Sequence, residues 1–168
     1  MIETIKHIFI AIILGLLQSF LIQEVPMGFY LKPMPYLMLF FVLPLDLNRY
    51  AILISAFIFG TLIDLSSGSF GTHSAATVAM VFIKHYVDRA FIDFDSLKLQ
   101  GESYIGVESK GWLFFFYYTI SLIFIHHLIF FGLDFFEIRS FIRIFSTSLI
   151  SSLGTFSLVL LFKSLFKK

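Results

Sequence analysis

The chain contains no cysteine. Disulfides, thiolate metal ligands and cysteine nucleophiles are therefore excluded together. Charge is scarce too. Asp, Glu, Lys and Arg make up 14% of 168 residues, and they nearly cancel, leaving +1. That balance offers no basic face to a phosphate backbone, so no nucleic-acid partner is expected. Apolar–polar alternation of the barrel-strand kind is missing. So are internal repeats, low-complexity tracts and any polar stretch long enough for a soluble domain.

What the chain does hold is apolar bulk: 58% hydrophobic residues, 24 Phe and a mean hydropathy of +0.93. A soluble fold of this size cannot hide that much apolar surface, so the expected solvent is lipid. The reading is one all-α integral membrane domain over residues 1–168. Helices follow because a spanning backbone must satisfy its own polar groups. Six apolar segments are expected: Ile5–Ile22, Tyr36–Leu47, Tyr50–Leu65, Thr72–Phe91, Gly111–Phe131 and Ile138–Phe166. The first is read as a retained helix rather than a signal peptide, because no small-x-small cleavage pattern follows it. The second and third are short and joined only by "DLNR". They fit either a re-entrant hairpin or two short spans, and two spans are expected, since Asn48 and Arg49 are costly at mid-membrane. With the N-terminus inside, nine Lys and Arg fall on inner segments and three (Lys32, Arg139, Arg143) on outer ones. That predicts N-in, C-in topology.

One stretch stands out, "FGTLIDLSSGSFGTHSA" at 59–75, at the outer link between segments three and four. Asp64 lies near the helix end, where a charge costs less than at the bilayer centre. It has two readings: a carboxylate that binds a partner or ligand, or local structure, paired with His73 or accepting N–H groups of "SSGS". Gly68 suits a left-handed helix stop. Ser69 or Thr72 is expected to cap the next helix through its hydroxyl. Gly71 permits close backbone approach. Gly60, four residues before Asp64 on the same face, leaves room for a neighbouring helix. "GSFG" has no following Lys-Ser/Thr and is no phosphate loop.

Elsewhere the pattern is plainer. His126 and His127 point about 100° apart on a helix and have no i+3 or i+4 ligand beside them, so core packing is expected rather than a metal. Lys84 and Asp88 form an i,i+4 pair with Arg89 one step on, and with His85 they read as a helix end emerging into the cytoplasm, Lys84 snorkelling. Arg139 and Arg143 form an outer rim, read either as interfacial anchors or as a docking edge. Small residues recur every four positions at Ala11, Gly15 and Ser19, and again at Thr147, Ser151 and Thr155. Lipid gives helices no hydrophobic reason to associate, so such stripes mark packing faces, internal or for a partner helix. No G-x-S-x-G and no acid–His–Ser set is present, and no enzyme activity, cofactor or metal is expected.

The segment plan and the outer corner together resemble a family. "GTLIDLSSGSFGTHSA" follows "G-x-x-x-D-L-x-S-G-x-x-G-x-H-[AS]", through Gly60, Asp64, Leu65, Ser67, Gly68, Gly71 and His73, as in the rod shape-determining protein MreD family. "KPMPYLMLFFVLPLDLNRY" resembles that family's second segment, with Pro35 as the leading proline. The long 93–111 loop and the Phe-rich fifth segment depart from it. The resemblance implies a non-enzymatic scaffold in the bacterial inner membrane. Its partners would be an MreC-like single-span protein and, in a larger complex, MreB, RodA and a transpeptidase. The corner and the Arg139–Arg143 rim would be its docking candidates. It also implies a fold similar to the substrate-binding (S) components of energy-coupling-factor transporters, six helices around an outward-facing cavity. That supplies the alternative function, a vitamin-binding membrane subunit.

Overall fold

The computed structural model describes residues 9–10, 13–15, 17–22, 31–43, 47–93, 110–135 and 141–166. Among them the chain is helical and has no strand. A π-helical stretch, Leu17–Ile22, belongs to the first segment. A 3-10 turn, Pro35–Leu37, leads into α1, Met38–Val42. Four long helices follow: α2 (Arg49–Ser67), α3 (Thr72–Phe91), α4 (Trp112–Phe135) and α5 (Phe141–Phe166). Among the described residues three helical stretches are long and apolar enough to cross a membrane: α2, α4 and α5 over Phe141–Leu161. Ala11, Arg139 and most of the 93–111 loop lie outside the described residues.

The second segment differs from expectation. Its helical part is a three-residue turn plus five residues. That covers about 13 Å, well short of the ~30 Å hydrocarbon core. An apolar count cannot distinguish helical from irregular chain, and here residues 31–34 have no regular secondary structure ahead of the turn. Such backbone is tolerated at membrane depth only when protein supplies its hydrogen bonds. Two hydroxyls of α5 do so: Lys32 N donates to Ser151 Oγ and Met34 N to Thr155 Oγ1, both at 2.9 Å. The spacing explains the fit. Ser151 and Thr155, four apart on a helix, stand ~6 Å from each other, and the two donors they meet lie two residues apart on non-helical chain. Pro33, between the two donors, has no N–H to satisfy. Gly154 adds room, since a Cβ there would meet Leu31 Cδ1 at 2.8 Å.

Helix α5 therefore buries its hydroxyl stripe and turns its bulk outward. Thr147, Ser148, Ser151, Ser152 and Thr155 are all buried, while Ile142, Leu149 and Leu153 are exposed. That inversion of a soluble helix suits an apolar solvent. Thr155→Val keeps the volume and removes the acceptor for Met34 N. It is expected to destabilise by about 1–3 kcal/mol and to speed proteolysis near residues 31–34 in detergent; unchanged cleavage rates would argue against the cradle.

Neighbouring helices pack in sequence, α2 on α3, α3 on α4 and α4 on α5. Side-chain pairs give their directions. Thr77 meets His126 and Asp88 meets Tyr118, so α3 and α4 are antiparallel. Tyr36 meets His126 and Phe41 meets Tyr118, so the second segment also runs against α4. A Cβ on Gly15 would touch Phe59, and Ser19 Oγ is 2.7 Å from Ser66 Oγ, so the first segment runs parallel to α2. Two members of the first small-residue stripe thus face α2. The core at the centre is built on Leu14, Tyr36, Phe40, Ile63, Met80 and Phe131.

Candidate functional site: the α2–α3 corner

Asp64 closes two helix ends. Its carbonyl receives the N–H of Gly68 and, at 3.1 Å, that of Ser69. These bonds stop α2 at a left-handed residue, Gly68, with φ 67°. Its carboxylate then turns to the next helix. Oδ1 accepts the His73 N–H and Oδ2 the Ser74 N–H, each at 2.9 Å. Ser69 Oγ donates to Oδ1 as well. His73 and Ser74 are the second and third residues of α3, where a capping side chain normally bonds. Gly71, the residue at the cap position, has φ 84° and no side chain to offer. The carboxylate of the preceding helix fills that place, and negative charge at a helix N-terminus is favourable.

This corrects the expectation for Ser69 and Thr72. Ser69 gives its hydroxyl to Asp64, not to the helix, and Thr72 Oγ1 is buried without a partner. An ionised carboxylate makes charge-assisted bonds roughly twice as strong as neutral ones, so it displaces hydroxyls from a cap it can reach. Neither structural reading of Asp64 holds as expected: the carboxylate accepts backbone N–H groups, but those of His73 and Ser74 rather than of "SSGS", from which only the Ser69 hydroxyl reaches it. The His73 ring points elsewhere, 4.4 Å from the Phe130 ring and 6.0 Å from that of Tyr36. Asp64 is 4% exposed and His73 3%.

Gly60 sets how closely the helices approach. A Cβ there would lie 2.4 Å from Ser74 Cα and 2.8 Å from Ser74 N. The helix crossing, the carboxylate and the N-terminus of α3 therefore form one unit. Ser67 completes it, donating to Ile63 O at 2.7 Å and lying 2.8 Å from Ser69 Oγ. Gly60, Asp64, Ser67, Gly68, Gly71 and His73 come together here, joined by Ser69 and Ser74. The role of Ser74 is one that a motif scan passes over, because its bond closes only when α3 folds back on α2.

The other singled-out residues lie apart. His126 Nε2 is 2.9 Å from Tyr36 Oη and 3.3 Å from Thr77 Oγ1. His127 turns to Ile123 O at 2.9 Å, with its Nε2 3.4 Å from Lys32 O. The pair thus serves different elements. Among the described residues no group of His, Asp and Glu is placed to hold a metal. Arg143 lies over the Phe135 ring at 4.6 Å. Lys84 does not snorkel. Its Nζ is 2.6 Å from Asp88 Oδ2, and Tyr118 Oη donates to Asp88 Oδ1 at 2.6 Å, a largely buried triad bridging α3 and α4. A buried acid holds its cation more strongly than solvent attracts it when a further donor fills its remaining lone pairs.

Compared with family models, with curated proteins and with solved structures, the chain matches none.

Proposed function

We propose that this chain is a non-enzymatic scaffold of the bacterial cell-elongation machinery. It would cross the inner membrane with six segments, N-in and C-in, and seat an MreC-like single-span partner beside its outer corner, with MreB, RodA and a transpeptidase in the larger assembly. The observation that carries the reading is the construction of the corner. The one acid in the signature stretch is fully occupied by Ser69, His73 and Ser74. A carboxylate held that way maintains a shape. The alternating directions of the segments fit six crossings, the second made partly of non-helical chain. Docking would then use the rim around Ser67 and Gly68, with Asp64 acting from beneath it.

The test is co-purification of the tagged chain with an MreC-like protein in nanodiscs. The wild type is expected to retain it, and Asp64→Ala, which unlatches the corner, to retain less. A wild-type chain that holds no such protein sinks the scaffold reading. A full-strength complex from a folded Asp64→Ala chain removes the corner from it. The vitamin-transporter alternative is favoured by one observation, the buried Nδ1 atoms of His73 and His126, which have no partner. A small polar ligand found by mass spectrometry in the purified chain would support that alternative.

A further inference from the structure

Phe70, at the tip of the corner, is fully exposed. Looseness does not explain this. On one side Ser69 is tied to Asp64 through its N–H and its hydroxyl. On the other, Gly71 O accepts the Ala75 N–H and the Ser74 hydroxyl. The turn holds the ring out.

The helix that leads to the turn shows its surroundings. Ile54, Ile58, Leu62 and Leu65 are exposed at steps of four, four and three residues, which is one face of α2. Helix α2 has 19 residues and is long and apolar enough to cross a membrane. Its length, about 28 Å, nearly equals the hydrocarbon thickness. The helix is also pinned at its other end. Arg49 stacks on the Tyr50 ring at 4.6 Å and donates to its hydroxyl at 2.6 Å, both residues being exposed. An Arg–Tyr pair of this kind belongs at a membrane–water boundary. With Arg49 at one boundary, Ser67 reaches the other, and Phe70 follows at headgroup depth. From Tyr50 to His73 the only acidic or basic residue besides His73 itself is Asp64, and both are buried, so nothing charged on this face steers a protein partner.

We propose that Phe70 is a membrane-interface anchor. Its ring inserts between headgroups and acyl chains in the leaflet on the corner's side, and its partner is the lipid surface itself. It continues the lipid-facing stripe of α2 past the helix end and fixes the depth at which the corner rides. The anchor requires α2 to span, not any particular partner.

The test places a single tryptophan in the full chain. Trp112 is the only natural one, so Phe70→Trp is made on a Trp112→Phe background and reconstituted into phosphatidylcholine vesicles. Leu65→Trp on the same background is the control for correct insertion. The expected result is a blue-shifted emission from the Phe70→Trp chain. Lipids brominated near the headgroup end of the acyl chain should quench that emission more strongly than lipids brominated near the terminal methyl, and more strongly than aqueous iodide. The proposal is overturned if iodide quenches the Phe70→Trp chain and neither lipid does, while lipid quenches the Leu65→Trp control. It is equally overturned if the indole introduced by Phe70→Trp leaves water only when an MreC-like protein is added, since the occupant is then protein.

Discussion

Asp64→Ala is expected to lower the unfolding free energy of the chain by about 3–5 kcal/mol, one of the two largest effects of any single substitution considered. The loss of a helix cap alone costs ~0.5–2 kcal/mol. The His73 and Ser74 N–H groups are buried, and each would lose its acceptor. A buried donor left unsatisfied costs ~1–3 kcal/mol, and lipid supplies no water to replace the bond. Two such groups and the cap overlap, so the sum stays below their separate maxima. Asp64→Asn should fall between. Its amide oxygen still accepts one N–H, while its NH2 faces the other. Ser69→Ala removes one donor from a carboxylate that keeps two, and should cost least of the three. Unfolding in mixed micelles followed by helical circular dichroism checks the order. An Asp64→Ala chain within ~0.5 kcal/mol of wild type, the usual range for surface changes, would show that the carboxylate is not holding the corner.

How much of this was legible depends on the reach of each interaction. The corner is local. Its bonds join residues at most ten apart, from Asp64 to Ser74, so the left-handed stop at Gly68 and the close approach at Gly60 could be read from spacing. The identity of the cap could not. Rules for capping look for a Ser, Thr, Asp or Asn at the residue just before the helix, and here that residue is Gly71 and the cap is a carboxylate from the last turn of the previous helix. The cradle for residues 31–34 was illegible for a different reason. Its bonds join residues 119 and 121 apart. Uniform hydrophobicity around α4 does not tell which face turns inward, because lipid and protein interior are equally apolar; on α5 the hydroxyl stripe does mark the inward face, but not the segment it serves. Yet a signal existed: Pro33 between two N–H donors, and hydroxyls four apart at Ser151 and Thr155. The i,i+4 pairing of Lys84 with Asp88 was legible from spacing and is present, but the snorkelling is not, because Tyr118 from α4 closes on the same carboxylate and the group stays largely buried.

Gly60→Ala is expected to cost about 2–4 kcal/mol, at or above the ~1–3 kcal/mol typical of overpacking. One methyl suffices because of what it meets. Its Cβ would sit 2.4 Å from Ser74 Cα, and that atom belongs to a helix backbone, which cannot rotate away as a side chain does. The helices must separate by ~1 Å or more to restore ordinary van der Waals contact. Separation moves Ser74 N, which is one of the donors to Asp64. The same displacement therefore opens the crossing and stretches the cap. Gly154→Ala is the internal comparison. Its Cβ would meet Leu31 Cδ1 at 2.8 Å, the far end of a flexible side chain, so the neighbour can turn aside and the cost should be clearly smaller. The link between Gly60 and Asp64 has its own signature. If both substitutions loosen one unit, the Gly60→Ala/Asp64→Ala double variant should lose less than the sum of the singles, by ~1 kcal/mol or more, since coupled sites depart from additivity by roughly 0.5–3 kcal/mol. Additive losses would mean that the crossing and the cap act separately. A Gly60→Ala cost no larger than that of Gly154→Ala would mean that α2 and α3 do not approach backbone to backbone at this point.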